Sequence, residues 1–392
     1  MEFNFNEAKN HLMNTYGQLE PVISHGEGVY LYDKDGNKYL DLTSGIGVNS
    51  LGYGNPKWIE ATTNQIKTLA HASNIFYTEP SVKLAKKLTE IAKMSKVFFG
   101  NSGAEANEGA IKLARKYSFD KYGQGRNTVL TLIQSFHGRT ITTLKATGQE
   151  KFHQFFYPFT EGFNYVKAND IEDFKSKLTD DVCAIMLEAI QGEGGVIPLD
   201  KTFVQEVVKI CNEKDVLVIF DEVQCGIARS GKMFGYNNFN VEADIVSVAK
   251  GLGAGLPIGG VLCSSKLGNV FGPGDHGSTF GGNPVVCAGA EVVLDELCNE
   301  ATLNEITEKG AYVKDLVEKS NNPQIVDFRG MGLMIGIKVK CDPKLVQKEA
   351  IKRGLLVLTA GKDVVRLLPP LVITKEELKA GIDIILEILS NI

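Results

Sequence analysis

The chain has no apolar run approaching the roughly 18–20 residues that a membrane-spanning helix needs. Its most hydrophobic stretches, VLVIF at 216–220 and GGVLC at 259–263, are strand-length and soon interrupted. It also lacks a basic excess: lysine plus arginine number 42 against 47 aspartates and glutamates, a formal net charge of −5. No broad positive field is therefore available for nucleic acid or another polyanion, although specific phosphate sites remain open. The seven cysteines have no CxxC spacing, and several lie in apolar runs. A disulfide framework is thereby excluded in favour of reduced, mostly buried thiols in a cytoplasmic protein. The opening MEFNFNEAKNHLMN has neither a basic segment leading into an apolar one nor an arginine-rich arm, so the mature chain is expected to begin there. There is no GxxxxGK[ST] and no GxGxxG after a first strand, which removes the phosphate loops that an ATPase or a nicotinamide-dinucleotide enzyme would require. Internal repeats and low-complexity linkers are absent as well.

What is abundant is glycine, 41 of 392 residues, compared with about 7% in average usage. The glycines follow no collagen period and sit among apolar and amphipathic stretches, as special backbone positions of an ordered fold do. Residues 27–45 read as two short strands joined at Asp35-Gly36-Asn37. A calcium loop fails there, because the glycine comes one residue early and the closing glutamate is missing; no metal site is expected. From about 56 to 290, helical patterns near 56–71, 80–94, 104–119 and 201–213 alternate with KVFFG, TVLTLI, VCAIML, VLVIF, IVSVA and GGVLC. This alternation predicts an α/β fold, a mostly parallel central sheet with helices on both faces. A long helical stretch from 284 to 319 then leads to IVDFRGMGLMIGIKV, a helix near 343–353, LLVLTAG, VVRLLPPL and a last helix at 375–390, a smaller α+β unit. The expected division is 1–50 as an N-terminal segment whose hairpin joins the small domain, 51–290 as a large ligand-binding domain and 291–392 as the C-terminal small domain.

Ligands of such sheets bind beyond the C-terminal strand ends, so polar residues that close apolar runs carry the interest. After KVFFG comes Asn101-Ser102-Gly103-Ala104-Glu105, in which Ser102 and Glu105 have capping-box spacing. Alone, this reads either as a capped helix or as free amides that cradle a phosphate. Asp221 and Glu222 close LVIF, as in the magnesium strand of nucleotide hydrolases, but without their phosphate loop. Lys250 follows IVSVA and precedes a loop containing Gly251, Gly253, Gly255, Gly259 and Gly260. It could be an ordinary solvent-facing lysine. Equally, desolvation would lower its pKa and release a neutral amine able to bond to an aldehyde. An amine, an acid to complement a heterocyclic N–H⁺ and a helix start for a phosphate together describe pyridoxal 5′-phosphate (PLP).

The fragments DKDGNKYLDLTSGIGVNSLG, FFGNSGAEANEGAIKLAR, SFHGRT, QGEGG, FDEVQCGIARSG, AKGLGAGLPIGG, STFGGNP and VVRLLPP run through nearly the whole chain. In this order they resemble the fold-type I, class III PLP-dependent aminotransferases and, within them, the branch acting on acetylornithine. The resemblance implies that Lys250 bonds to the cofactor and is the catalytic acid/base, and that Asp221 pairs with the pyridine nitrogen. It further implies that Ser102, Gly103 and Ala104 bind the phosphate with Thr279 of the partner subunit, that Phe136 stacks on the ring and that Gln224 lies beside the 3′ hydroxyl. A homodimer with active sites at the subunit interface follows. Arg139 and Arg366 would bind substrate carboxylates, Glu193 would pair with Arg366 when the acylated donor is bound, Glu188 would support the site, and His137 would order the pocket. The implied reaction moves the δ-amino group of N2-acetylornithine to 2-oxoglutarate, giving N-acetylglutamate 5-semialdehyde and glutamate in arginine biosynthesis. Ornithine, succinylornithine, succinyldiaminopimelate and 4-aminobutyrate aminotransferases are the alternatives, and a non-catalytic protein on the same fold is a further one. Two positions depart from the pattern: Ala189-Ile190, where many relatives have proline after the glutamate, and Tyr53, where histidine is common. They bear on acyl specificity rather than on transamination.

Overall fold

The computed structural model describes residues 5–392. Its centre is a seven-stranded sheet in the order 96–100, 259–263, 245–248, 217–221, 182–187, 128–132 and 163–166. Gly259–Cys263 runs antiparallel to both neighbours, and the remaining pairs are parallel. Successive strand residues serve two different cores. Ala184, Met186, Leu217, Ile219 and Ile245 pack with one cluster, while Ile185, Leu187, Val218, Phe220 and Val246 pack with another. Burial of both faces explains why these strands are continuous apolar runs rather than alternating ones. The mostly parallel α/β fold expected from the sequence is the one observed.

Helix Gly103–Tyr122 covers one face with small residues, Ala106, Gly109, Ala110 and Ala114. A Cβ on Gly109 would lie 2.9 Å from Val261, so the helix rides close on the sheet. The helices Glu79–Ala92 and Lys201–Glu213 bring Leu84, Leu88, Val204 and Val207 to the second core. Elsewhere, Ile23–Glu27, Tyr30–Asp33 and Lys38–Asp41 form a small sheet whose last strand pairs in parallel with Leu355–Leu356. Ile325–Met331, Met334–Val339, Val364–Leu367 and Leu358–Ala360 form an antiparallel sheet.

Two local expectations are corrected. The 284–319 stretch is two helices, Pro284–Leu297 and Glu300–Lys319, because Asn299 leaves helical geometry and its side chain accepts from the amide of Thr302 at 2.9 Å, starting a new helix. LLVLTAG is not one strand either, since Leu355–Leu356 and Leu358–Ala360 belong to different sheets. No helix among the described residues is long and apolar enough to cross a membrane.

Candidate active site

Parallel register places three polar residues in one row at the C-terminal end of the sheet. Leu187 pairs with Phe220 and Asp221 with Ser247, so Glu188, Asp221 and the segment leading to Lys250 emerge side by side. They line a cavity of about 440 Å³ together with Ser102, Gly103, Ala104, Asn107, Phe136, His137, Arg139 and Gln224, and its remaining wall includes apolar Val48, Val223 and Ile258.

Asp221 is buried, and its Oδ2 accepts from Asn107 Nδ2 and faces His137 Nδ1, both at 2.7 Å; Oδ1 accepts from the amide of Val223 at 3.0 Å. Burial opposes the charged form of His137, but the hydrogen bond and charge of Asp221 outweigh it and raise the imidazole's pKa. Glu188 accepts from the amide of Phe136 at 3.0 Å, and burial pushes its carboxyl up to about 8. Lys250 has φ of +43°, an uncommon conformation for a residue with a side chain, closed by hydrogen bonds from Leu252 to Ala249 (3.0 Å) and from Gly253 to Lys250 (2.9 Å). Its ammonium has no hydrogen-bond or ion-pair partner among the described residues. Desolvation, aided by the Arg366 charge, lowers its pKa despite the opposing charges of Glu193, Asp221 and Glu188.

The helix start differs from a capping box in an instructive way. Ser102 Oγ accepts from the amide of Glu105 at 3.1 Å, but the Glu105 carboxylate reaches past Ser102 to the amide of Asn101 at 2.7 Å. The amides of Ser102, Gly103 and Ala104 are thus left without partners among the described residues, at the positive end of a 20-residue helix. Gly259 makes the loop possible, since a Cβ there would stand 2.2 Å from the Ser102 carbonyl oxygen.

Beside the cavity, Arg366 Nη1 bonds to Glu193 Oε1 at 2.6 Å and to Gln224 Oε1 at 3.2 Å, while its buried Nε has no partner. Burial would raise the Glu193 pKa, but Arg366 holds it below the usual range. Arg139 is exposed at the cavity edge. Thr279 is exposed and does not line this cavity. The two atypical positions serve packing: Ala189 is buried in the second core, and Tyr53 donates to Asp41 at 2.6 Å. Glu222, next to Asp221, turns away and accepts from the amides of Gly235 and Tyr236. Asn107 escaped the sequence reading, although a signal was present: it is a polar residue on the face that Gly103, Ala106 and Ala110 turn to the sheet.

These residues fit PLP. A desolvated amine, a buried carboxylate and three amides without partners among the described residues share one cavity, and each answers a different part of that molecule. No group of three or more metal-ligating side chains occurs among the described residues.

The family description "Aminotransferase class-III" matches residues 13–389. The chain is 50% identical over 385 residues to the acetylornithine aminotransferase of Haemophilus ducreyi, with 97% of each covered. It is 46% identical over 387 residues to that of Caldanaerobacter subterraneus subsp. tengcongensis, with 98% of each covered. Among solved structures it is similar to the ornithine aminotransferase of Toxoplasma gondii, with a TM-score of 0.94 and 31% identity over 99% of this chain and 94% of that one. The acetylornithine aminotransferase of Elizabethkingia anophelis gives 0.88 and 32%, over 99% and 98%. A cavity whose residues fit PLP, on this fold, agrees with the family match over residues 13–389 and the 50% identical relative, which place the chain in the class-III aminotransferases, a family of PLP-dependent enzymes.

Proposed function

We propose that the enzyme transfers the δ-amino group of N2-acetylornithine to 2-oxoglutarate, yielding N-acetylglutamate 5-semialdehyde and glutamate, as a cytoplasmic step of arginine biosynthesis. The observation that carries this reading is the Arg366–Glu193 pair at 2.6 Å beside the Lys250 cavity. With Glu193 engaged, the positive charge of Arg366 is neutralised, and the cavity receives a donor whose reacting amine is remote from its carboxylate. With Glu193 displaced, Arg366 presents Nη1 and the unpartnered Nε to the α-carboxylate of glutamate or 2-oxoglutarate, a two-pronged match. Arg139 takes the α-carboxylate of N-acetylornithine in one half-reaction and the distal carboxylate of 2-oxoglutarate or glutamate in the other.

Bound PLP supplies an electron sink for the electron pair left when the amine-bearing carbon loses its proton. Ser102, Gly103 and Ala104 would hold its phosphate with Thr279 of the partner subunit, Phe136 would stack on its ring, and Gln224 would contact its 3′ hydroxyl. Asp221, fixed by Asn107 and His137, balances the charge on the ring nitrogen, with Glu188 supporting the Phe136 loop. Lys250 would anchor the cofactor and carry the proton; desolvation, by lowering its pKa, makes the neutral amine that accepts a proton more available. Both substrates use this site in turn. A homodimer is supported by the apolar surface near Thr279, where Ile75 is 85% and Tyr77 97% exposed beside Phe76 and Phe280. The free thiols support the cytoplasmic assignment.

Ornithine is the second reading, favoured by the similarity to an ornithine aminotransferase structure. A panel of N-acetylornithine, succinylornithine, ornithine and 4-aminobutyrate at matched concentrations tests the choice. The highest kcat/KM is expected with N-acetylornithine, and a clear preference for ornithine or 4-aminobutyrate would overturn the assignment.

A further inference from the structure

Arg139 is fastened by its backbone and free at its tip. The loop is pinned before it by Phe136 N to Glu188 (3.0 Å) and His137 N to Thr147 Oγ1 (2.9 Å), and after it by Thr140 Oγ1 to Glu108 (2.6 Å). Gly138, at φ +141°, has no room for a side chain, since a Cβ would stand 2.4 Å from Thr143 Oγ1. The guanidinium makes no hydrogen bond or ion pair among the described residues. It lies instead over two aromatic rings, 4.4 Å from the centre of Phe152 and 5.6 Å from that of Phe136.

Phe152 is the nearer and better-founded platform. It ends the short 3₁₀ turn Glu150–Phe152, its amide bonds to Gln149 O at 3.1 Å, and its ring meets Phe136 edge-on at 6.0 Å and 77°. The next residue, His153, is buried with Nε2 within 2.8 Å of Leu144 O and 2.9 Å of Thr147 O, which locks the segment. A ring facing a guanidinium occupies its flat face and leaves its N–H edge free, and that edge is what grips a carboxylate. Lys151 Nζ lies 4.8 Å from the centre of the same ring. Phe152 does not itself line the cavity.

We propose that Phe152 is a positioning residue for substrate carboxylates: its ring holds the Arg139 guanidinium at the cavity edge with its hydrogen-bonding side turned to the substrate. This rests on the reading of Arg139 as a carboxylate ligand. An arginine side chain gives up rotamer freedom when it grips a ligand, and the ring reduces that freedom before the substrate arrives.

The test uses holoenzyme with N-acetylornithine and, as an uncharged comparison, its carboxamide. Phe152→Leu fills similar space without a π face and should raise KM for N-acetylornithine and 2-oxoglutarate about two- to fivefold, the range of an exposed cation–π contact. The kcat and the KM for the carboxamide should hold, and Phe152→Tyr should behave as wild type. If Phe152→Leu does not fold, Phe152→Met takes its place. In an Arg139→Gln background the Phe152 substitution should have no further effect. If Arg139→Gln changes KM for the acid and for the carboxamide by the same factor, the carboxylate reading is overturned and this inference with it. If Arg139→Gln raises KM for the acid more than for the carboxamide, but Phe152→Leu leaves KM unchanged or shifts both donors equally, the inference alone is overturned.

Discussion

Asp221 and Glu222 are adjacent in the chain, yet their carboxylates face different partners. Asp221 Oδ2 meets the side chains of Asn107 and His137, both at 2.7 Å, in the wall of the cavity, whereas Glu222 accepts from the backbone amides of Gly235 at 2.6 Å and Tyr236 at 2.9 Å. One belongs to the site and the other staples a loop. Asn107 also donates to the carbonyl of His137 at 2.8 Å, so a single amide ties together the helix, the 136–139 loop and the strand end. A hydrogen bond to a charged group contributes about 1.5–3 kcal/mol, roughly ten- to a hundredfold in an equilibrium constant. Asn107→Ala should weaken PLP binding by about tenfold or more, measured by absorbance titration of the apoenzyme. An unchanged dissociation constant would remove Asn107 from the site.

The buried acids set a pH dependence. Burial pushes Glu222 up to about 7 and Glu188 up to about 8, from an ordinary value of 4.5, and His137 is raised above 6.5 when Asp221 outweighs its burial. All three bind a proton more tightly folded than unfolded. Their contribution to stability is complete below the ordinary values and is lost as pH rises through the folded ones. Urea unfolding at constant ionic strength should therefore show stability falling between about pH 5 and 8. Glu222→Gln should flatten part of that slope, while lowering stability overall because its amide oxygen can accept from only one of the two backbone amides. Stability that rises steadily across the window would contradict this.

Glu193 is 29% exposed at its side chain, and its partner Arg366 is buried. Removing it leaves the guanidinium uncompensated, a loss on the order of 1–3 kcal/mol once the exposure of Glu193 is allowed for. In Glu193→Ala, kcat/KM for N-acetylornithine should fall by roughly tenfold or more, while glutamate, whose carboxylate is proposed to replace Glu193, should be little affected. Steady-state kinetics of the two half-reactions decide it, and equal losses would count against the switch.

Gly259→Ala should disturb the helix start through its backbone. The added Cβ would meet the Ser102 carbonyl oxygen at 2.2 Å, an overpacking that costs about 1–3 kcal/mol. Both the melting temperature and PLP retention should drop, whereas Gly17→Ala, placed in open space, should change neither. Retention of full PLP affinity by Gly259→Ala would mean that this loop does not cradle the phosphate.

Much of the site was legible because it lies where apolar runs end. LVIF and IVSV lie in fully buried strands, so Asp221 and the segment leading to Lys250 had to emerge at their C-terminal ends. What short-range pattern could not show was contact between distant segments: Asn107 reaches Asp221 across 114 residues, and Phe152 meets Arg139 from a separate turn. The Glu105 carboxylate was placed one amide too late, because capping-box spacing does not say which neighbouring N–H the side chain will reach. The helix break at Asn299 was hidden for a simpler reason: apolar periodicity continues on both sides of it.

The most direct measurement is borohydride reduction of the holoenzyme followed by peptide mass spectrometry. The pyridoxyl group should be found on the peptide containing Lys250, and Lys250→Ala should lose both the adduct and turnover. A label on another lysine, or a Lys250→Ala variant that keeps both, would contradict the placement of PLP chemistry at this residue.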